Sequence, residues 1–230
     1  MYFMTSTDKT RTRTPRHAAG ENPDKRAAIL AGAARVFMQT GFDATSVNDI
    51  CRAAGVSKST LYVYFSDKED LFEHLIEGER ERLFLGLRQS LLIPGTLAER
   101  LSAFAQALAG IILSDEVILA QRVVIGMAER RSDMGARFYD AGAQRGQLVL
   151  LEALQAEIAA GTLSIPDPTL AAYQLVELST AGLWRRRLFG KTAAPPPAEV
   201  IRSTAASAVA VFMAAYGRNA VKDALVTDVQ

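Results

Sequence analysis

The chain has 230 residues, of which 49% are apolar and 22% are charged, a composition typical of a globular protein of one or two domains. A single cysteine, Cys51, excludes an internal disulfide, and with only two histidines we expect neither a metal site nor a cofactor. No run approaches the ~18 apolar residues of a membrane span, and the N-terminus lacks a secretory pattern. We therefore expect a cytoplasmic protein with no membrane partner.

Charge divides the chain into a basic first part and an acidic remainder. Residues 1–68 hold ten lysines and arginines against six acidic residues, whereas the whole chain has a net charge of only +1. A basic segment favours an anionic partner, and nucleic acid is the natural candidate because phosphate contacts supply most non-specific affinity.

Residues 1–23 mix Thr, Arg, Pro and Gly without periodicity, which predicts a disordered basic arm. Its arginines, Arg11, Arg13 and Arg16, could enter a minor groove, but a solvated tail is the favoured interpretation, and an extension without a role is equally open. Helical spacing begins at Asp24, and residues 24–72 are predicted to form the DNA-binding domain.

Two short helices follow the first one. Thr45 is the predicted N-cap of the first, Gly55 breaks the chain, and Ser57 is the predicted N-cap of the second. Ser66-Asp67-Lys68-Glu69 has the residue types and spacing of a capping box that opens a long helix.

The rest of the chain also has helical spacing. The sequence predicts helices over 117–131, 134–160, 169–189 and 198–216, separated by glycine and proline punctuation. Strand-like alternation is missing, so the predicted fold class is all-α with about nine helices. Residues 73–217 form the predicted second helical domain, and residues 218–230 a flexible tail.

A short helix, a tight glycine turn and a second short helix between Thr45 and Phe65 form a helix-turn-helix pattern. The predicted inward residues, which would pack the pair on the first helix, are Val47, Ile50, Ala54, Val56, Leu61 and Phe65. The predicted outward residues of the second helix are Lys58, Ser59, Thr60, Tyr62 and Tyr64. Hydroxyl and ammonium groups can donate hydrogen bonds to phosphates and base edges, so this surface predicts DNA binding.

Residues 25–76 resemble the TetR family of bacterial regulators. The motifs that carry the resemblance are Ala28-Ile29-Leu30, Ala34-Arg35-Val36-Phe37, Gly41-Phe42-Asp43-Ala44-Thr45-Ser46-Val47, Asp49-Ile50, Ala53-Ala54-Gly55-Val56-Ser57-Lys58-Ser59-Thr60-Leu61-Tyr62, Tyr64-Phe65, Lys68-Glu69 and Leu71-Phe72. The resemblance implies a homodimer that places the helix after Ser57 in the major groove of a palindromic operator. By position it implies DNA contacts from Thr45, Ser46, Lys58, Ser59, Thr60, Tyr62, Tyr64 and Lys68.

The chain after residue 90 resembles the regulatory domains of the AefR-like subgroup, through Arg137-Phe138-Tyr139, Ala160-Gly161-Thr162-Leu163, Asp167-Pro168, Ala171-Ala172 and Leu188-Phe189-Gly190. The resemblance implies that residues 73–217 are a ligand-binding and dimerisation domain, with a small-molecule cavity and a dimer interface formed by the last two long helices. Candidate ligand-binding residues, each of which could instead be plain core, are Phe104, Met127, Phe138, Tyr139, Tyr173 and Trp184. Candidate interface residues are Leu178, Trp184, Ala205, Val209, Phe212 and Met213, with burial in the chain's own core as the alternative.

The leading hypothesis is a ligand-responsive regulator, most simply a repressor, that a small molecule releases from DNA; an activator uses the same parts. A helix-turn-helix enzyme and a helical module that does not bind DNA are less favoured. The back half shows no strands or clustered carboxylates, and Lys58, Tyr62 and Lys68 are present. The run Arg185-Arg186-Arg187 could bind DNA or an anionic ligand, but the favoured prediction is a solvated rim that caps helix carbonyls. Arg130-Arg131 is interpreted in the same way.

Overall fold

The computed structural model describes residues 22–128 and 132–218. Contacts divide the chain into two compact units, Met1–Glu73 and His74–Gln230. Apart from residues at their inner edges, the arm predicted for 1–23 and the tail predicted for 218–230 lie outside the described residues, as does Arg130-Arg131. The helices are α1 (Pro23–Thr40), α2 (Val47–Ala54), α3 (Lys58–Tyr64), α4 (Lys68–Ser90), α5 (Leu97–Ile112), α6 (Asp115–Met127), α7 (Ser132–Tyr139), α8 (Arg145–Ala159), α9 (Pro168–Ser179), α10 (Trp184–Leu188) and α11 (Ala198–Tyr216).

The all-α prediction is confirmed, and the described residues contain no strand. A π-helical turn, Asp140–Gln144, joins α7 to α8 without a break, so the two form the long helix that the sequence predicts over 134–160. Counted in this way, the described residues form ten helices rather than about nine, because the predicted helix over 169–189 is in fact two.

The first unit is built on close packing between α1 and α2. A Cβ atom on Gly32 would lie 2.8 Å from the backbone nitrogen of Ala54 and 2.9 Å from its Cβ, so only glycine allows this approach. Arg35 of α1 also donates a hydrogen bond to the carbonyl of Ala53, at 2.5 Å. Together these contacts fix α2 on α1.

Three phenylalanines fill the centre of the first unit. The ring centroids of Phe37, Phe42 and Phe72 lie 5.1 to 5.7 Å apart, and all three side chains are buried. Tilted and edge-to-face pairs at these distances stabilise a core beyond the area they bury. The inward positions Ile50, Leu61 and Phe65 are also buried, so α2 and α3 rest on a rigid base.

The start of α4 departs from the predicted capping box by one residue. The carboxylate of Asp67 accepts the backbone N–H of Asp70 at 2.6 Å, and the carboxylate of Asp70 accepts the backbone N–H of Ser66 at 2.8 Å. The prediction that Ser66 and Glu69 form the box is therefore wrong. A carboxylate is charged and therefore accepts a stronger hydrogen bond from a helix N–H than a hydroxyl does. This difference favours Asp67 over Ser66 as the N-cap.

The core of the second unit lies among α5, α8, α9 and α11. Leu101, Phe104, Leu150, Leu175 and Phe212 are almost completely buried in it. By length and composition α11 could cross a membrane. In this structure one side of α11 is buried in the core against α5 and α9, through Ala205, Ala208, Val209 and Phe212, and the other side is accessible.

A turn interrupts the helix that the sequence predicts over 169–189. Asp167 caps α9, which ends at Ser179, and α10 begins at Trp184. Gly182 in the intervening turn has a φ of 73°, a left-handed conformation that a helix interior does not accept. The prediction of one continuous helix is therefore wrong.

Arg187 is buried, with a relative accessibility of 2%, although the sequence predicts a solvated rim at this position. Its guanidinium forms a salt bridge of 2.6 Å with Asp115 at the start of α6 and donates to the carbonyl of Leu113, 3.2 Å away, after α5. It also donates to the carbonyls of Thr192 and Ala193. Arg185 and Arg186 are exposed, so the prediction is wrong for the third arginine only.

A smaller polar network ties α5 to the end of α8. The carboxylate of Glu157 accepts hydrogen bonds from the Thr162 hydroxyl at 2.6 Å and from Arg100 at 2.8 Å. The hydrogen bond from Thr162, followed by that from Arg100, lowers the pKa of Glu157 below its ordinary value.

Candidate nucleic-acid interface

Ser46 sets the start of α2. Its hydroxyl accepts the backbone N–H of Asp49 at 3.2 Å, and the Asp49 carboxylate accepts the backbone N–H of Ser46 at 3.1 Å, which completes a capping box. Hydrogen bonds from Ser46 lower the pKa of Asp49 below its ordinary value, with a smaller contribution from Arg52. The prediction that Thr45 is the N-cap is wrong by one residue, because the carboxylate three positions on is matched to Ser46.

Thr45 and Lys68 fix the loop that leads into α2. The Thr45 hydroxyl is buried and donates to the carbonyl of Gly41 at 2.6 Å. The Lys68 ammonium donates to the carbonyls of Phe42 and Thr45, at 2.8 and 3.1 Å, and lies 4.2 Å from the ring centroid of Phe42. Both residues therefore position the loop, and phosphate contact by either of them stays a prediction.

Hydroxyl groups cluster at the start of α3. Ser57 is the N-cap, as predicted, and its hydroxyl accepts the backbone N–H of Thr60 at 3.1 Å. The same hydroxyl lies 2.9 Å from that of Ser59 and 2.8 Å from that of Thr60. The helix start is thus ordered by its own side chains: three hydrogen bonds saturate the Ser57 hydroxyl, whereas the hydroxyls of Ser59 and Thr60 keep acceptor capacity for a further partner.

The exposed side of α3 presents one positive charge, hydroxyls and an aromatic ring. Lys58 and Ser59 are exposed, Tyr62 has a relative accessibility of 47%, and Thr60 and Tyr64 are half-buried. The Lys58 ammonium lies 5.9 Å from the Tyr62 ring centroid. Residues 57–66 contain no acidic side chain, so nothing on this helix repels a phosphate backbone.

Two further residues at this surface are not among those predicted from the sequence. Val63 has a relative accessibility of 50%, and the Arg26 guanidinium of α1 lies 5.5 Å from the ring centroid of Phe65, which follows α3. Val63 could have been found from its spacing, because it lies two positions from buried Leu61 and hence on the opposite side of the helix. No sequence signal places Arg26 beside α3, because that proximity depends on how α1 and α3 pack.

Family models match both parts of the chain. The model of bacterial regulatory proteins of the tetR family matches residues 29–75, and that of the AefR-like transcriptional repressor C-terminal domain matches residues 99–218, more than half of the chain. The chain belongs to the TetR family. The sequence-based identification of the family is therefore confirmed, including the AefR-like character of the C-terminal part.

Curated relatives of this TetR-family chain match part of its length. The HTH-type transcriptional activator FasR of Mycolicibacterium smegmatis is 33% identical over 84 residues, which is 36% of this chain and 38% of FasR. The HTH-type transcriptional repressor KstR2 of Mycobacterium tuberculosis is 33% identical over 89 residues, 39% of this chain and 44% of KstR2. The chain thus spans less than half the length of the curated relatives it matches.

Solved TetR-family structures share the fold over most of the chain. A TetR-family transcriptional regulator from Mesorhizobium loti superposes with a TM-score of 0.77 at 24% identity, covering 86% of this chain and 100% of that one. The flavonoid-responsive regulator FrrA gives a TM-score of 0.67 at 28% identity, with the same coverage. The predicted combination of a helix-turn-helix domain and a helical C-terminal domain is confirmed.

The predicted ligand-binding residues of this TetR protein lie in different environments. Phe104 and Met127 are buried, Phe138 is half-buried, and the half-buried Trp184 donates its indole N–H to a glutamine side chain of α6 at 2.7 Å. Tyr139 and Tyr173 are brought together on the surface, with their hydroxyls 3.3 Å apart. This hydrogen bond raises the pKa of Tyr139 above its ordinary value. Their role toward a ligand stays a prediction.

The predicted dimer residues divide into two groups. Ala205, Val209 and Phe212 are buried in the core of their own chain, whereas Met213 and Leu178 are half-buried, as is Trp184. The other side of α11 bears an open groove of about 340 Å³. Its lining residues are Leu178, Ala181, Ser203, Thr204, Ser207, Ala208 and Val211. Of the predicted residues, Leu178 lies on this accessible face.

Proposed function

We propose that this TetR-family chain is a transcriptional repressor that binds a palindromic operator as a homodimer. The observation that supports it most is the exposed side of α3, where Lys58, Ser59 and Tyr62 face outward on a helix without acidic residues. The N-terminus of α3 is capped and its base is a packed core, so the backbone that carries these groups is ordered before DNA arrives. Preorganised donors lose little entropy on binding.

Thr45, Ser46 and Lys68 would support this surface in a second way. Ser46 and Asp49 cap α2, while Thr45 and Lys68 hold the preceding loop. The exposed N-terminus of α2 would then face phosphate with its backbone N–H groups in place. In this proposal Tyr64 and Thr60, both half-buried, line the edges of the contact.

A homodimer would present two copies of α3 to two half-sites about one helical turn or somewhat more apart. The groove on α11 fits this role because it is lined by small residues that allow close helix approach, with Val211 exposed by 54%. Val211→Asp should therefore leave the fold intact and shift the protein toward monomer. Sedimentation velocity measures the dimer content, and Ile125→Asp, at a similarly exposed site on α6, is the matched control. Equal dimer contents in both variants would remove this face from the proposal.

The effector would be a small apolar or aromatic molecule bound in the helical C-terminal part, acting in the cytoplasm. It would bind one arrangement of the dimer more tightly and lower operator affinity, and DNA would lower effector affinity by the same factor. The name of FrrA, a flavonoid-responsive regulator, provides one chemical class for a first screen. Activation is the second candidate, because the relative FasR is named an activator.

The proposal is tested by fluorescence anisotropy of labelled fragments from upstream of the gene, titrated at several salt concentrations. We expect saturable binding of one fragment over scrambled DNA, a steep salt dependence and loss of binding in a Lys58→Ala/Tyr62→Ala double variant. Arg186→Ala, which removes an exposed cation from the other unit, is the matched control. Equal weak binding to every fragment, repeated in a genome-wide selection, would refute sequence-specific regulation.

Repression and activation are separated by transcription in vitro from the bound promoter. Repression predicts fewer transcripts as the protein saturates its site, and recovery when an effector releases it. An increase in transcripts at the same occupancy would establish the second candidate instead.

A further inference from the structure

Val63 and Ser59 form the outermost stripe of α3. Leu61 is the buried residue of this helix, and each of the other two lies two positions from it, about 160° around the axis at 3.6 residues per turn. The accessibilities agree with this placement, since Ser59 is exposed and Val63 is exposed by 50%. The two residues are also four positions apart and therefore neighbours on one face. Lys58 and Tyr62 lie beside the stripe, in contact with each other.

The residue types on this helix limit how it can read a base pair. Residues 58–64 contain no Arg, Asn or Gln, so Lys58 is the one side chain of this helix that can form two hydrogen bonds to a purine. The Ser59 hydroxyl already contacts that of Ser57 at 2.9 Å. Val63, beside it, can form no hydrogen bond, and the C5-methyl of thymine is the apolar group that a major-groove edge offers.

We propose that Val63 determines operator specificity by packing its isopropyl group against the C5-methyl of a thymine in each half-site. The inference rests on the proposed function, because it concerns the DNA contact of the same helix. A valine at the centre of the exposed face meets the groove floor first, so the chain prefers thymine there over cytosine, adenine and guanine. Lys58 and the tyrosines supply phosphate and edge contacts around it.

The test uses the full-length protein and the tightest-binding duplex selected from a pool of randomised DNA. Each thymine of that duplex is replaced in turn, symmetrically in both half-sites, by deoxyuridine, which lacks only the methyl group. For the wild-type chain we expect one symmetric pair at which the replacement weakens binding about fourfold for each half-site, the equivalent of removing one buried methyl group. In Val63→Ala the same replacement should change the affinity little, because the contacting group is already absent.

Two controls keep the interpretation specific. Ile125→Ala shortens an exposed β-branched residue on α6 and should retain the wild-type response to deoxyuridine. An unchanged helix signal and salt dependence in Val63→Ala would show that the variant folds and keeps its phosphate contacts. If no duplex is enriched, the proposed function fails and the inference fails with it. If a duplex is enriched but no thymine methyl matters, or Val63→Ala responds as wild type does, the inference alone is overturned.

Discussion

Replacing Arg187 with leucine should destabilise the C-terminal unit strongly, although the residue belongs to a run of three arginines. Its guanidinium is 2% exposed and bonds Asp115 at 2.6 Å. It also holds the carbonyls of Leu113, Thr192 and Ala193. One side chain thereby joins the end of α5, the start of α6 and the chain after α10.

The size of the effect follows from what leucine leaves behind. Asp115 is 51% exposed, so water solvates its carboxylate in the variant at little cost. Loss of the salt bridge therefore contributes least to the destabilisation. The carbonyls beside Arg187 lose a charged donor, and each buried acceptor left unpaired costs about 1–3 kcal/mol. Some rehydration of the loop carbonyls reduces the total. We therefore expect a loss of about 2–4 kcal/mol in the free energy of unfolding.

Urea unfolding followed by far-UV circular dichroism measures this loss. The variants are compared at one protein concentration, because the stability of an oligomer depends on it. Arg186→Leu is the matched control: the side chain is exposed, and its loss should change the free energy by less than ~0.5 kcal/mol. Equal midpoints for the two variants would refute the assignment of Arg187 as the junction of these segments.

Three further predictions concern packing, pH and loop positioning. Gly32→Ala should lower the free energy of unfolding by about 1–3 kcal/mol, because the new methyl group would collide with the backbone of α2. Gly110→Ala is the control: there is open space around its Cβ and alanine favours a helix, so the urea midpoint should rise. A hydrogen bond from Thr162, followed by the salt bridge with Arg100, lowers the pKa of Glu157 in the folded state. The stabilisation from this carboxylate is therefore present above the unfolded pKa of about 4.3 and is lost as the pH falls through the folded pKa. Glu157→Gln should flatten the dependence of the unfolding free energy on pH between pH 6 and 3, and an unchanged dependence would contradict this. Lys68→Met should lower the urea midpoint, because the lysine holds the loop before α2. A salt slope of DNA binding reduced by about one per subunit would confirm the predicted phosphate contact, and an unchanged slope would contradict it.

Much of the first unit could be predicted because its local signals agree with its packing. The apolar positions Ile50, Leu61 and Phe65 are buried as their spacing indicates, and Ser57 caps α3. The N-cap of α2 could be predicted only to within one residue. Thr45 and its neighbour Ser46 can both cap a helix, and only the position of the acidic partner separates them.

Other features depend on tertiary contacts that a single sequence does not reveal. Arg185, Arg186 and Arg187 are chemically identical, and the third is buried because Asp115, 72 positions away, and a set of carbonyls meet it. Lys68 is similar, since its carbonyl partners lie 23 and 26 positions earlier in the chain. A charged residue is expected at the surface until its partners are known.

The last helix shows why apolar content alone could not identify the proposed dimer face. Two stripes run along α11 with the same helical spacing. Residues 205, 209 and 212 point into the chain's own core, and residues 200, 204, 207 and 211 lie on the opposite, accessible side. Phe212 fills the core with the largest side chain of the two stripes, while Ser207 and Thr204 of the outer stripe allow backbones to approach closely. A partner helix can therefore use the outer stripe without disturbing the inner one, so substitutions along the two stripes should separate loss of folding from loss of dimerisation.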